Sequence, residues 1–106
     1  MCIRDSHHEG SGYALIEAIA CGVVPCVTDI PASRALAGSI GRLWRAGDAD
    51  AGAAALRALA DPSRRVSRDA VRAHFDSTLD WRAIGQRTLQ AYRDLVERRR
   101  ARAQVT

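Results

Sequence analysis

The sequence predicts an α/β fold, helix-rich, with short parallel strands and a long C-terminal helix. Three observations carry this expectation. "YALIEAIACG" is a run of helix formers closed by a glycine; "VVPCVT" is a short β-branched run suited to a strand buried on both faces; and from Asp80 onward the apolar residues keep helical spacing. Helix, glycine and buried strand in that order form half of an α/β unit.

Each element has its own local reason. Tyr13 to Cys21 places Leu15, Ala18 and Ile19 along a helix that Gly22 ends. Val23 to Thr28 follows as the buried strand, with Pro25 as a reservation because proline donates nothing to a ladder. Asp29-Ile30-Pro31 is a turn, Ala32 to Ala37 a short helix, and "GSIGRLW" a brief extended segment ending at Trp44. Asp48 is an N-cap for a helix whose stripe is Ala53, Leu56, Leu59 and Ala60, terminated by Asp61-Pro62. Ser63 to His74 is an arginine-rich helical candidate. The last helix, capped by Asp80, carries Trp81, Ile84, Thr88, Tyr92 and Leu95 at helical spacing, with Trp81 and Tyr92 read as core aromatics.

Composition narrows the function classes. At 106 residues the chain makes about one small domain, with no internal repeat and no low-complexity linker. The net charge is +4 and all sixteen basic residues are arginine, a bias that weakens the charge as an argument for nucleic acid. Three cysteines without CxxC spacing argue against a disulfide framework or a zinc knuckle; Cys21 and Cys26 are expected as small core residues in a reducing compartment. The opening "MCIRDSHHEG" has no apolar core of a signal peptide, and no run approaches the roughly 18 to 20 apolar residues of a membrane span. The expected compartment is the cytoplasm, with any membrane contact made peripherally at its inner face. The run Arg98–Arg102 is read first as a solvated helix end and second as a weak attraction to anionic lipid.

The chemistry sits at residues 7–22, "HHEGSGYALIEAIACG". Backbone amides of Gly10, Ser11, Gly12 and Tyr13 lie where a helix starts, and unsatisfied N–H groups with the positive end of the dipole favour an anion there. Glu9, just ahead of the loop, would repel a phosphate placed on it, so it suits a hydroxyl-bearing neighbour such as a sugar. Glu17, in the second turn on the side of Tyr13, suits a vicinal diol such as a ribose. Sugar, phosphate and ribose in a row describe a nucleotide sugar. No metal-ligating cluster is present and no cofactor is expected. His7 and His8 are read as exposed, with phosphate contact as the second reading.

"EGSGYALIEAIACGVVPCVTDIP" resembles the E-x7-E region of retaining GT-B glycosyltransferases of family four, also called group 1. "GRLWRAGDADAGAAALRALADPSRR" looks like that family's strand, "GD" turn and helix, and "FDSTLDWRAIGQRTLQAYRDL" looks like its C-terminal aromatic-bearing helix. The resemblance spans Ser6 to about Arg98. It implies the Rossmann-like C-terminal half-domain of a GT-B fold, partial, over residues 6–98, with 1–5 as a truncated or misjoined start and 99–106 as an arginine-rich tail. It makes Glu9 the catalytic residue, at the donor sugar and the reacting face, puts Glu17 on the ribose, and brings the amides of Gly10, Ser11, Gly12 and Tyr13 to the diphosphate and sugar. Ser11 replaces an aromatic residue of many relatives, and Ala35, beside Arg34, replaces the family's acidic residue, so no role transfers to either side chain. The implied reaction is transfer of a sugar from a UDP- or GDP-sugar to a sugar or lipid-linked acceptor, in carbohydrate biosynthesis. The family's basic pair and N-terminal Rossmann domain are not in this sequence, so the chain alone is expected to be inactive. In the family the last helix crosses back to the other domain, which leaves the stripe through Ile84, Tyr92 and Leu95 partly uncovered here.

Two alternatives come from other classes. Gly10-Ser11-Gly12 before a helix, with Asp29 after the next strand, imitates an NAD(P)-type dinucleotide fingerprint. Against it, Leu15 replaces the third glycine, Glu9 is poorly placed for pyrophosphate, and no apolar strand precedes the loop. An arginine-rich helical interaction module explains the C-terminal charge but neither the loop nor the buried strand.

Overall fold

The computed structural model describes residues 1–105; Thr106, the last residue of the arginine-rich tail, lies outside the described residues. Three parallel strands form the sheet: β1 (Cys2–Arg4), β2 (Pro25–Thr28) and β3 (Arg42–Trp44), in spatial order β1-β2-β3. Cys26 of β2 stands opposite Ile3 on one side and Arg42 on the other. The helices are α1 (Tyr13–Ala20), α2 (Pro31–Ala37), α3 (Ala49–Ala60), α4 (Arg68–His74) and α5 (Trp81–Val105). The chain is therefore an α/β unit in which helix dominates and a small open parallel sheet sits at the centre, with a long helix at the C-terminus.

β1 corrects the sequence reading, which places no strand before the loop. Its backbone joins the β2 ladder through Cys2 N–H to Val24 O at 2.9 Å, although its side chains alternate between exposed and half-buried. Pairing with a neighbour that is buried along its whole length overrides a polar local sequence. Pro25 stands first in β2, a position where the missing N–H disturbs least.

Alternate residues of β1 face opposite sides of the sheet. Arg4 borders Leu15 of α1 and Leu36 of α2, whereas Ile3 borders Gly52, Ala53 and Leu56 of α3. Thus α1 and α2 cover one face and α3 the other, as right-handed crossovers between parallel strands require for α1 and α2. The core runs through Leu15, Ile19, Cys26, Val27, Ala37, Leu59 and Val71. Gly22 and Gly41 are set by close approach: a Cβ on either would collide, with Arg68 and with the Pro25 carbonyl respectively.

α3 is capped as the sequence predicts, Asp48 Oδ1 accepting from Ala51 N–H at 2.9 Å. Its buried face is Gly52, Ala55, Ala58 and Leu59; Ala60 is exposed, because the helix is rotated so that Gly52 meets the Trp44 indole. The helix expected over Ser63 to His74 is broken in two. Asp61 closes a short 3-10 turn, Pro62–Arg64, and Ser67 caps α4 afresh by accepting from Ala70 N–H at 3.1 Å. A π-helical turn, Phe75–Leu79, follows; Asp80 N–H reaches back five residues to Phe75 O at 2.9 Å, and Thr78 Oγ1 donates to His74 O at 2.6 Å.

α4 ties the first face together. Arg72 Nη1 donates to Ala20 O at the end of α1 (2.7 Å) and His74 Nε2 bonds Leu36 O at the end of α2 (2.8 Å), so two helix C-termini gain partners for free carbonyls. α5 is different, with no buried residue along its 25 residues. Trp81 is 79% and Tyr92 66% exposed, which corrects their reading as core aromatics: helical spacing defines a stripe but does not supply a partner for it. Asp80 starts α5 through its backbone carbonyl, accepting from Ile84 N–H at 3.0 Å, in place of the expected side-chain cap.

The thiols are also only partly as expected. Cys26 is fully buried and burial pushes its pKa up, but Cys21 is exposed at the last turn of α1 and Cys2 is intermediate. With Ellman's reagent on the folded chain, Cys21 is expected to react first, Cys2 more slowly, and Cys26 only once denaturant is added. Rapid labelling of Cys26 in the native chain, mapped by mass spectrometry, would contradict the packing of β2.

Candidate functional site

The loop between β1 and α1 is held by a chain of side-chain contacts. Thr28, buried at the end of β2, donates from Oγ1 to the Ser6 carbonyl; Ser6 Oγ donates to Glu9 Oε1 at 2.6 Å; and Arg4 Nη2 donates to the same Oε1 at 2.7 Å. Glu9 is thereby fixed at the C-terminal end of β1, its side chain 22% exposed and its Oε2 without a protein partner among the described residues. The hydrogen bond from Ser6, then that from Arg4, holds the Glu9 carboxyl below the usual carboxylate range.

A carboxylate whose folded pKa is depressed adds stability above its unfolded pKa and loses it as the pH falls through the folded value. Acidification below the ordinary glutamate range, near pH 4.3, is therefore expected to protonate Glu9 and release it from Ser6 and Arg4. Carboxyl-carbon NMR should give Glu9 a titration midpoint below that range, and Ser6→Ala should raise it. An ordinary midpoint in the unaltered chain would mean that the contacts with Ser6 and Arg4 do not persist in solution.

The remaining candidates fall around this anchor. Gly12 is the residue before α1 and has φ +66°, a left-handed conformation that glycine reaches freely; a Cβ there would stand 2.6 Å from Leu36 Cδ1. No side chain caps α1, so its first amides, beginning with Tyr13, have no competing protein acceptor at the loop. Gly10, Ser11 and Tyr13 are exposed, and so is Glu17, one turn beyond Tyr13 on the same side of the helix. His7 and His8 are exposed. The structure thus brings Glu9 and Gly12 to one seam against α2, bordered by Ala32, Ser33 and Leu36 and with only about 10 Å³ of free space, while Glu17 stands outside it.

A wider cleft, about 380 Å³, lies across the sheet from that seam. It opens at the carboxyl ends of all three strands, with Asp5, His7, Thr28 and Trp44 on one wall and Asp48, Ala49 and Gly52 of α3 on the other. Open α/β sheets bind ligands at this edge. Sequence reasoning missed Asp5, Trp44 and Asp48 as cleft residues; the signal available for Trp44 and Asp48 was their place at and just beyond the carboxyl end of β3, whereas Asp5 follows β1, which has no strand pattern of its own. None of Glu9, Gly10, Ser11, Gly12, Tyr13 or Glu17 lines this cleft. The described residues contain no group of His, Cys, Asp and Glu arranged to hold a metal.

Compared with protein-family models, with curated proteins and with solved structures, the chain matches none.

Proposed function

We propose that the chain is the nucleotide-sugar-binding part of a retaining GT-B glycosyltransferase of family four, taking a UDP- or GDP-sugar whose sugar passes to the hydroxyl of a sugar or lipid-linked acceptor. The observation that supports this best is the strand–loop–helix unit from Cys2 to Ala20: a carboxylate fixed at the strand's end, an uncapped helix start after a glycine loop, and a second, exposed carboxylate in the next turns. In this reading Glu9 Oε2 accepts from a donor-sugar hydroxyl, the loop amides from Gly10 to Tyr13 meet the diphosphate, and Glu17 accepts from the ribose. Arg4 offsets the Glu9 charge beside the phosphates. The work is electrostatic: a departing diphosphate is stabilised while an oxocarbenium-like sugar is held in place. The sheet is then part of a Rossmann-like half-domain whose partner lobe carries the acceptor pocket, and the compartment is the cytoplasm.

The dinucleotide reading gains from β1, which supplies a strand before the loop. It loses more, because Asp29, its ribose acid, is ion-paired with Arg34, and Leu15, at its third glycine, is buried in the core.

Titration of the chain with UDP, GDP and NAD, followed by amide NMR, tests the reading. UDP or GDP is expected to shift the amides of Gly10 to Tyr13 while NAD does not, with no sugar transfer by the chain alone. Shifts confined to Asp48–Gly52 would move the site to the wide cleft and reject the loop; steady-state turnover of either nucleotide sugar would reject the need for a second lobe.

A further inference from the structure

The wide cleft at the strand ends has no part in the donor-site reading. Its volume of about 380 Å³ is enough for a small organic ligand, and its lining divides by chemistry. Ile3, Leu56 and the Trp44 indole are apolar, and the first turns of α3 add only Ala49, Gly52 and Ala53, which are too small to fill the space. The indole is seated on the helix at Gly52, where a Cβ would stand 3.1 Å from Trp44 Nε1. The oxygens of the lining offer acceptors. Asp48 uses Oδ1 on Ala51 N–H at 2.9 Å, which fixes the carboxylate and leaves Oδ2 without a protein donor among the described residues. Thr28 gives its hydroxyl proton to the Ser6 carbonyl, so toward the cleft its oxygen can only accept. The cation that acts on Asp5 is Arg4, whose guanidinium is bonded to Glu9 instead. No arginine lines the cleft, in a chain with sixteen of them.

From this inventory we infer that the cleft binds a small organic cation, its flat apolar body against Trp44 and the short side chains of α3 and its ammonium group held by Asp5 and Asp48. A primary ammonium carries three donors and no acceptor, which matches a lining that offers acceptors, and a cation is attracted to an indole face as well. Charge excludes the opposite choice. A phosphate or carboxylate ligand would meet two carboxylates and no arginine. The occupant is organic because the apolar part of the lining needs an apolar body to cover it, and because the described residues contain no group of His, Cys, Asp and Glu arranged for a metal. The place agrees too, since the cleft opens at the carboxyl ends of the parallel strands, the edge at which open α/β sheets take ligands. The inference is independent of the donor-site reading.

NMR titration of the full chain with 2-phenylethylamine at neutral pH, where the amine is protonated, decides it. Three analogues separate the causes: 2-phenylethanol keeps the ring without the charge, 3-phenylpropanoate reverses the charge, and ethylamine keeps the charge without the ring. 2-Phenylethylamine is expected to shift the Trp44 indole N–H and the amides from Gly47 to Ala53, and to bind about tenfold more tightly than the alcohol or ethylamine. 3-Phenylpropanoate should leave those signals in place. Asp5→Asn and Asp48→Asn should each weaken the amine about tenfold. Asparagine caps a helix as aspartate does, so Asp48→Asn should keep the circular dichroism of the unaltered chain. Ala53→Leu, which puts bulk into the cleft wall, should abolish the shifts. Equal affinity for the amine and the alcohol would overturn the inference, as would ethylamine binding as tightly as 2-phenylethylamine. So would 3-phenylpropanoate binding at the same signals, an amine affinity untouched in both asparagine variants, or no shift with the amine at all.

Discussion

Ile19→Ala is expected to destabilise the chain by about 2 to 5 kcal/mol, enough to leave much of it unfolded at room temperature. Ile19 is fully buried, on the face of α1 that meets the sheet, α4 and the π-helical turn. Its truncation opens a cavity in a small core whose other members, Leu15, Val27, Leu59 and Val71 among them, are already buried. A small domain has only about 5 to 15 kcal/mol in total, so this one side chain represents a large share. The matched control is Leu95→Ala, 61% exposed on α5, expected to change stability by no more than about 0.5 kcal/mol. Urea titration followed by far-ultraviolet circular dichroism measures both. A cost below about 1 kcal/mol at Ile19 would mean that α1 is not packed as described.

The same contrast between α1 and α5 shows how far the sequence could be read. α1, β2, α2, β3 and α3 were legible because each announces itself locally: Gly22 after a helical run, a β-branched segment too short for a helix, Asp48 at an N-cap. β1 was not, since Cys-Ile-Arg has no strand pattern of its own and is ordered by the ladder of β2. The π-helical turn was equally hidden, depending on a hydroxyl, Thr78, that bonds the His74 carbonyl inside a helical run. Trp81 and Tyr92 failed for a different reason: their spacing is a property of one helix, and burial is a property of two surfaces. At the site, the loop and the two glutamates were readable as a spacing, but the partners that fix Glu9 were not. Arg4 reaches it only because β1 exists, and Ser6 only because Thr28, twenty-two residues on, holds its carbonyl.

Under the proposed function, that anchoring would give the two glutamates distinguishable roles in donor binding. Glu17 stands free on α1 and, in the proposed complex, accepts from the ribose, a group shared by UDP and by any UDP-sugar. Glu17→Ala is therefore expected to weaken both ligands alike, by about tenfold to a hundredfold for the loss of one charged acceptor worth roughly 1.5 to 3 kcal/mol. In the same proposed complex Glu9 meets the sugar, which UDP lacks. Glu9→Ala should weaken the nucleotide sugar by a similar factor and leave UDP unchanged or slightly tighter, since one negative charge near the phosphates is removed while Arg4 is freed to face them. Because Glu9→Ala also deletes the contacts to Ser6 and Arg4, Ser6→Ala serves as the control: it loosens the same loop without removing the carboxylate, and should affect UDP and the nucleotide sugar equally. Isothermal titration of the three variants with UDP, UDP-glucose, GDP and GDP-mannose separates the cases. Equal losses for UDP and UDP-glucose in Glu9→Ala would make Glu9 a support for the loop and nothing more. Unchanged affinities in both glutamate variants would take the donor away from α1 altogether and leave the wide cleft at the strand ends as the place to look.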